Sequence, residues 1–175
     1  MNRRALVLGV AALALTAAAI GALRWSGKAE SGGFLGPGPL QSDVNLVLEI
    51  VLVLGLTWGT RLARRGDIEA HRVNQTLWVL VNSALVAFIM AGAMASFKLS
   101  SWRSLVDVGN ALTVLHAVVG TLTFLAGLWL VLQMNDVLPV AFHTRRWKGL
   151  MRATLFGYWI VALLGIVTYY YWYAA

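Results

Sequence analysis

The sequence predicts an all-α integral membrane protein: a four-helix transmembrane bundle with one additional N-terminal transmembrane helix. Three observations carry this expectation. The chain is 59% hydrophobic, with a mean hydropathy of +0.74. Charged residues make up only 12%, about half the share of a typical soluble domain. Five apolar runs, over residues 5–23, 44–60, 77–97, 111–134 and 153–173, separate the charge clusters. Each is near the ~20 residues a helix needs to cross ~30 Å of hydrocarbon. In that solvent only helices or closed barrels satisfy the backbone, and these Leu/Val/Ala runs lack the period-2 alternation of a barrel strand.

The first run follows Asn2-Arg3-Arg4 and ends near Thr16-Ala17-Ala18-Ala19, a combination also found in secretory signals. It is read here as a retained anchor over residues 1–26. Residues 27–43, with Gly32-Gly33-Phe34-Leu35-Gly36-Pro37-Gly38-Pro39 at their centre, form a Gly/Pro-rich outer linker. Residues 44–175 form the four-helix membrane domain. Its first helix carries Gly55-Leu56-Thr57-Trp58-Gly59, a small-xxx-small spacing that lets two helix backbones approach, and Gly120 with Gly127 offers the same in the fourth helix of the chain.

A basic segment with a histidine precedes an outward helix twice, once from Arg64 to Arg72 and once from Phe142 to Lys148. Helices two and three could therefore repeat as helices four and five. The last helix closes on Thr168, Tyr169, Tyr170, Tyr171, Trp172 and Tyr173, amphipathic rings suited to a membrane interface. Placing the N-terminus inside puts ten basic residues on the inner side and four (Arg24, Lys28, Lys98, Arg103) outside. That asymmetry favours an N-in, C-out multi-pass protein of a bacterial cytoplasmic membrane.

Composition also excludes chemistry. With no cysteine the chain holds no disulfide, iron–sulfur cluster or thiolate metal site. The net charge of +7 alternates with membrane spans instead of forming one basic face, so nucleic acid is set aside. GxxxxGK[ST], GxSxG and HExxH are all absent.

What remains are a few polar residues in or beside the membrane. Glu49 and His116 each lie five residues into an apolar run entered from the outside, about 7.5 Å along the helix axis. A carboxylate at that depth needs a proton, a wet cavity or a partner, and His116 and Lys98 are the available partners. The alternative is a structural hydrogen bond between helices. His71 and His143 are the one same-side histidine pair, the minimum for a bis-histidine haem b or a metal site. As juxtamembrane residues among arginines they fit headgroup or helix-end contacts as well. Asn74, Gln75, Asn82, Asn110 and Gln133 read as interhelical glue.

The stretch Arg64-Arg65-Gly66-Asp67-Ile68-Glu69-Ala70-His71-Arg72, the later Leu115-His116-Ala117-Val118, and the region from His143 through Tyr158-Trp159 to Gly165-Ile166-Val167-Thr168-Tyr169 resemble the CtaM/YozB-like family. This is a group of four-helix bacterial membrane proteins linked to maturation of haem-copper cytochrome c oxidase. The resemblance covers about residues 44 to 173. It places family histidines on His71, His116 and His143, and implies haem or copper as the cofactor to consider. A further family histidine, at the outer end of the third helix, is missing; the sequence there reads Ser96-Phe97-Lys98. An ammonium is no ordinary metal ligand, so Glu49, Lys98 and His116 are expected to form a buried polar cluster instead.

The expected function is that of a non-catalytic accessory or assembly protein, without a cofactor of its own, beside the subunits of a respiratory-type electron-transfer complex. The alternative is a haem b-binding or quinone-reactive subunit using His71 and His143. A transporter built on Glu49 and the apparent repeat ranks third, for want of broken helices and further intramembrane charges.

Overall fold

The computed structural model describes residues 3–97 and 106–173, and the fold is all-helical, with helix over 83% of it and no strand among the described residues. Five helices are long and apolar enough to cross a membrane. They are α1 (Arg3–Trp25), α2 (Leu40–Arg64), α3 (Ile68–Leu85) with its continuation, α5 (Val108–Met134) and α6 (Trp147–Tyr173). The continuation of α3 is a π turn over Val86–Met90 followed by the short α4 (Ala91–Ser96).

Helix starts follow capping chemistry more closely than hydropathy. Asp67 accepts the Ala70 amide (3.0 Å), so α3 begins at Ile68, ahead of the apolar run at residue 77. Asp107 likewise accepts the Asn110 amide (2.9 Å) and opens α5 at Val108. A side-chain oxygen at this position satisfies one of the donors that the first helical turn leaves free. Pro39 precedes α2, which starts at Leu40 and so draws the end of the expected linker into the helix. Gly66, at φ +83°, supplies the left-handed residue that turns α2 into α3.

Four helices close a ring: α2 packs on α3 and α6, and α5 packs on α6 and α3. The core between them gathers Leu52, Leu56, Val79, Leu85, Ile89, Val131, Tyr158 and Ala162. The first helix lies along α3, where its Gly9 faces Thr76 and Leu80, and it adds Ile20 to the same core. Its opposite face exposes Val7, Leu8, Val10 and Leu15. Apolar outward faces on all five helices suit lipid contact.

The Gly55/Gly59 face is used inside the chain. A β-carbon on Gly55 would strike the Trp78 indole, and one on Gly59 would strike the Asn74 and Gln75 amides. This close approach lets Asn74 Nδ2 donate to the Gly55 carbonyl (2.9 Å) and Gln75 Nε2 to that of Leu56 (3.0 Å). The small-residue face therefore packs α2 on α3 and is not free for a neighbouring protein.

The two ends of the bundle differ in chemistry. One carries Arg3, Arg4, Arg61, Arg64, Arg65, Arg72, Arg145, Arg146, Lys148 and Arg152. There Asn135, fully buried, donates to Thr76 Oγ1 (2.9 Å) and ties α5 to α3. The other end carries the α1–α2 loop and the aromatic end of α6. Asp43, also fully buried, accepts the amides of Phe34 (2.5 Å) and Leu35 (2.6 Å) and the Tyr169 hydroxyl (2.5 Å). Gly33 makes room for that carboxylate, because any β-carbon there would overlap it.

Candidate functional site

Between α2, α3, α5 and α6 lies a cavity of about 620 Å³. It runs from Ser42 and Tyr173 at the loop-bearing end down to Leu52, Asn82 and Tyr158. The ten-residue span from Ser42 to Leu52 makes it about 15 Å deep. Its walls are mainly apolar, with Ile89, Met90, Val161 and Ala162 at mid-depth and Phe97, Tyr169 and Trp172 nearer the mouth. The π turn contributes Val86, Ile89 and Met90 to the wall. Single π turns change the facing of the side chains that follow and recur at functional sites.

The polar residues of the wall are sharply placed. Glu49 is only 6% exposed although it faces the cavity. One turn earlier on the same helix face, Asn45 Nδ2 donates to Glu49 Oε1 (3.0 Å). The other carboxylate oxygen stands 2.7 Å from where a β-carbon on Gly165 would sit, and His116 Cε1 stands 3.3 Å from the same point. The missing side chain at Gly165 thus lets α2 and α5 present an acid and an imidazole side by side against α6. Deeper, Asn82 Nδ2 donates to the Tyr158 hydroxyl (3.4 Å) across α3 and α6.

Three buried polar atoms in this wall have no hydrogen-bond partner among the described residues: Asn45 Oδ1, His116 Nδ1 and Thr168 Oγ1. Buried polar atoms are paired in the great majority of cases, so three unpaired ones beside one cavity single it out as the candidate site; three more, Arg72 Nε, Asn135 Oδ1 and Thr154 Oγ1, lie away from it.

The residues anticipated from sequence fall into two groups. Glu49 and His116 are brought together, and both sit deeper than the apolar runs indicated, because their helices start earlier. They lie nine and eight residues into α2 and α5, about 13 and 12 Å along the axis. Lys98, the third member of the expected cluster, lies outside the described residues.

His71 and His143 are not brought together around one pocket. His71, 5% exposed, donates from Nδ1 to the Gly59 carbonyl (2.8 Å), tying α3 back to α2. His143 donates from Nε2 to the Leu138 carbonyl (3.1 Å) inside the α5–α6 connection, and the depression beside it is lined by Gln133, Arg145 and Trp147 without His71. Among the described residues no three of His, Asp and Glu converge as metal ligands.

Asn45 and Asp43 were not singled out from sequence, and Tyr158 and Thr168 stood there only within longer stretches, without a place in a site. The Asn45/Glu49 spacing of four was a usable signal, since it puts two polar side chains on one face of an otherwise apolar helix.

The arrangement defines a class: an all-helical chain with five helices able to cross a membrane and an apolar cavity holding a few polar atoms. No family model matches the chain, and neither a curated protein nor a solved structure matches it.

Proposed function

We propose that this is a multi-pass protein of the bacterial cytoplasmic membrane whose four-helix unit holds a lipophilic small molecule in the α2–α3–α5–α6 cavity. It acts, without catalysis of its own, as an accessory or assembly partner of a respiratory-type electron-transfer complex. The observation that carries the binding role is the set of unpaired buried atoms at Asn45, His116 and Thr168 in an apolar-walled cavity. Such sites combine apolar surface with a few placed polar groups that orient the ligand. The partner role is supported by the resemblance at residues 64–72, 115–118 and 143–169.

Purification in a mild detergent tests both parts. Solvent extraction of the purified protein should release one lipophilic compound in near-stoichiometric amount, and Leu52→Trp, which fills the cavity, should abolish it. Respiratory subunits should copurify. A wild-type protein that carries nothing, and no more than the Leu52→Trp variant, would remove the binding role; one that never copurifies with a respiratory subunit would remove the partner role.

The proposed orientation has the basic end inside. Since the chain has no cysteine, single cysteines report cleanly. A cysteine replacing exposed Lys28 should react with an impermeant maleimide on intact cells, and one replacing exposed Arg65 only after permeabilisation. The reverse pattern would invert the topology.

A further inference from the structure

Resting on the binding role proposed above, we infer that the cavity is filled sideways from the bilayer: its ligand is a membrane-resident amphiphile whose long apolar chain lies in an open seam between α4 and α5.

The other flanks of the cavity are closed. On the α2–α6 side, Tyr169 and Tyr173 of α6 hydrogen-bond to Asp43 and Ser42 of α2. On the α5–α6 side, Trp172 Nε1 donates to Thr113 Oγ1 (3.0 Å), and Gly109 and Gly127 are so close to α6 that a β-carbon would strike Tyr171 and Tyr158. On the α2–α3 side the first helix fills the gap. Its Ile20 joins the core beside Leu52 and Ile89. Its Arg24 donates from Nε to Gln41 Oε1 (2.9 Å), and a guanidinium nitrogen stands 3.4 Å from where a β-carbon on Gly92 of α4 would sit.

The fourth flank is different. At the basic end α3 and α5 are held together by the bond from Asn135 to Thr76 and by Val131 in the core with Val79. Beyond the π turn the two part, and neither that turn nor α4 packs on α5 to a comparable extent. A π turn breaks the regular hydrogen-bond ladder and redirects the helix that follows. Gly92 faces α1, and a helix advances about 100° per residue, so Met94 points to the opposite side and Ala91 shares its face. Met90, Ala91 and Met94 line the cavity from α3 and its continuation, and Ala117, Gly120 and Thr121 line it from α5. Ala91, Met94 (43%) and Thr121 are at the same time exposed on the outside of the bundle. Residues that are wall and surface at once outline an opening. From Thr113 to Thr121 it runs about 12 Å along α5, inside a helix of membrane-crossing length.

The lining of the seam sets the chemistry of what passes through it. None of these six side chains is charged, and the two methionines are unbranched and adapt to an irregular apolar neighbour. A charged solute would have to leave water for hydrocarbon to reach this opening, whereas an apolar chain is already there. A molecule seated in this way keeps its compact end between α2 and α6 and its tail among lipid chains, so it is taken up and released without crossing water.

The test is photolabelling of the full chain in phosphatidylcholine nanodiscs with a hexadecanol that carries a diazirine next to its hydroxyl end, beside the compact adamantyl diazirine. The hexadecanol probe should label Val161 and Ala162, which line the interior of the cavity. Ala91→Trp and Thr121→Trp, each at an exposed position, should leave helical content unchanged and each cut that labelling about tenfold by filling the seam. Ser42→Trp, at the loop-bearing mouth, should change it by no more than about twofold. Loss of labelling in Ser42→Trp with none in the two seam variants overturns the inference in favour of entry through the mouth. Labelling of the interior by adamantyl diazirine alone also overturns it, and leaves the cavity a site for a compact ligand. If neither probe labels Val161 or Ala162, the binding role itself falls.

Discussion

Replacing Asp43 with alanine should lower the thermal midpoint of the purified protein by about 10 °C and open the α1–α2 loop to protease. The carboxylate is fully buried and accepts three hydrogen bonds, from the Phe34 and Leu35 amides and the Tyr169 hydroxyl. No salt-bridge partner for it is seen among the described residues, so these donors are its stabilising environment. Alanine leaves two backbone amides and a phenol at the end of the bundle without their acceptor. Hydrogen bonds to a charged group contribute about 1.5–3 kcal/mol each, and removing one side of a buried set costs about 3–5 kcal/mol in total. Tyr169→Phe removes one donor only and should cost about 1.5 kcal/mol. Asn at position 43 should fall between the two, because one of its two terminal atoms can still accept. If Asp43→Ala and Tyr169→Phe shift the midpoint equally, the loop amides contribute nothing and the clamp is a single side-chain pair.

The second large effect is expected at Gly55. Valine there should cost about 3 kcal/mol, because its β-carbon meets the Trp78 indole and α2 must move away from α3. The displacement would also lengthen the bonds from Asn74, Gln75 and His71 to α2 carbonyls. Each interhelical bond of this kind contributes about 0.6 kcal/mol within a membrane, so overpacking dominates and the lost bonds add to it. Combining Gly55→Val with Trp78→Leu isolates the steric term. The pair should be less destabilised than the sum of the singles by about 1–2 kcal/mol. Strict additivity of the two would mean that the α2–α3 distance is set elsewhere.

The helices were legible as apolar runs, and their ends were not. Residues 68–76 are too polar to count as a span, yet they are helical, because Asp67 caps them and His71, Asn74 and Gln75 bond to α2 carbonyls. Polarity in that turn signals contact with another helix, and hydropathy alone scores it as loop. Asp43 shows the same effect. An apolar run begins at Val44, so Asp43 was assigned to the linker, while in the structure it sits in the first turn of α2 and holds that linker down.

The candidate site was half legible. Glu49 and His116 were conspicuous because ionisable residues in apolar runs are costly and hence few. Their common depth followed from reading both helices as entering from the same, outer side. Gly165 carries no such mark, although its missing side chain is what lets the two groups meet. For the histidines at 71 and 143, a shared side of the membrane suggested a pair, and the structure gives each a local carbonyl partner, at Gly59 and Leu138.

By itself the sequence determined five stretches long and apolar enough to cross a membrane and the clustering of basic residues at one end. Each of these is a sum over a local stretch, and crossing hydrocarbon demands about 20 apolar residues in a row whatever they later touch. The tertiary structure alone decided which polar atoms are satisfied and which are left facing a cavity. Asn82 reaches Tyr158 and Asp43 reaches Tyr169 across separations of 76 and 126 residues. A hydrogen bond depends on distances of a few tenths of an ångström between helices, and no local stretch of sequence encodes the packing that sets them.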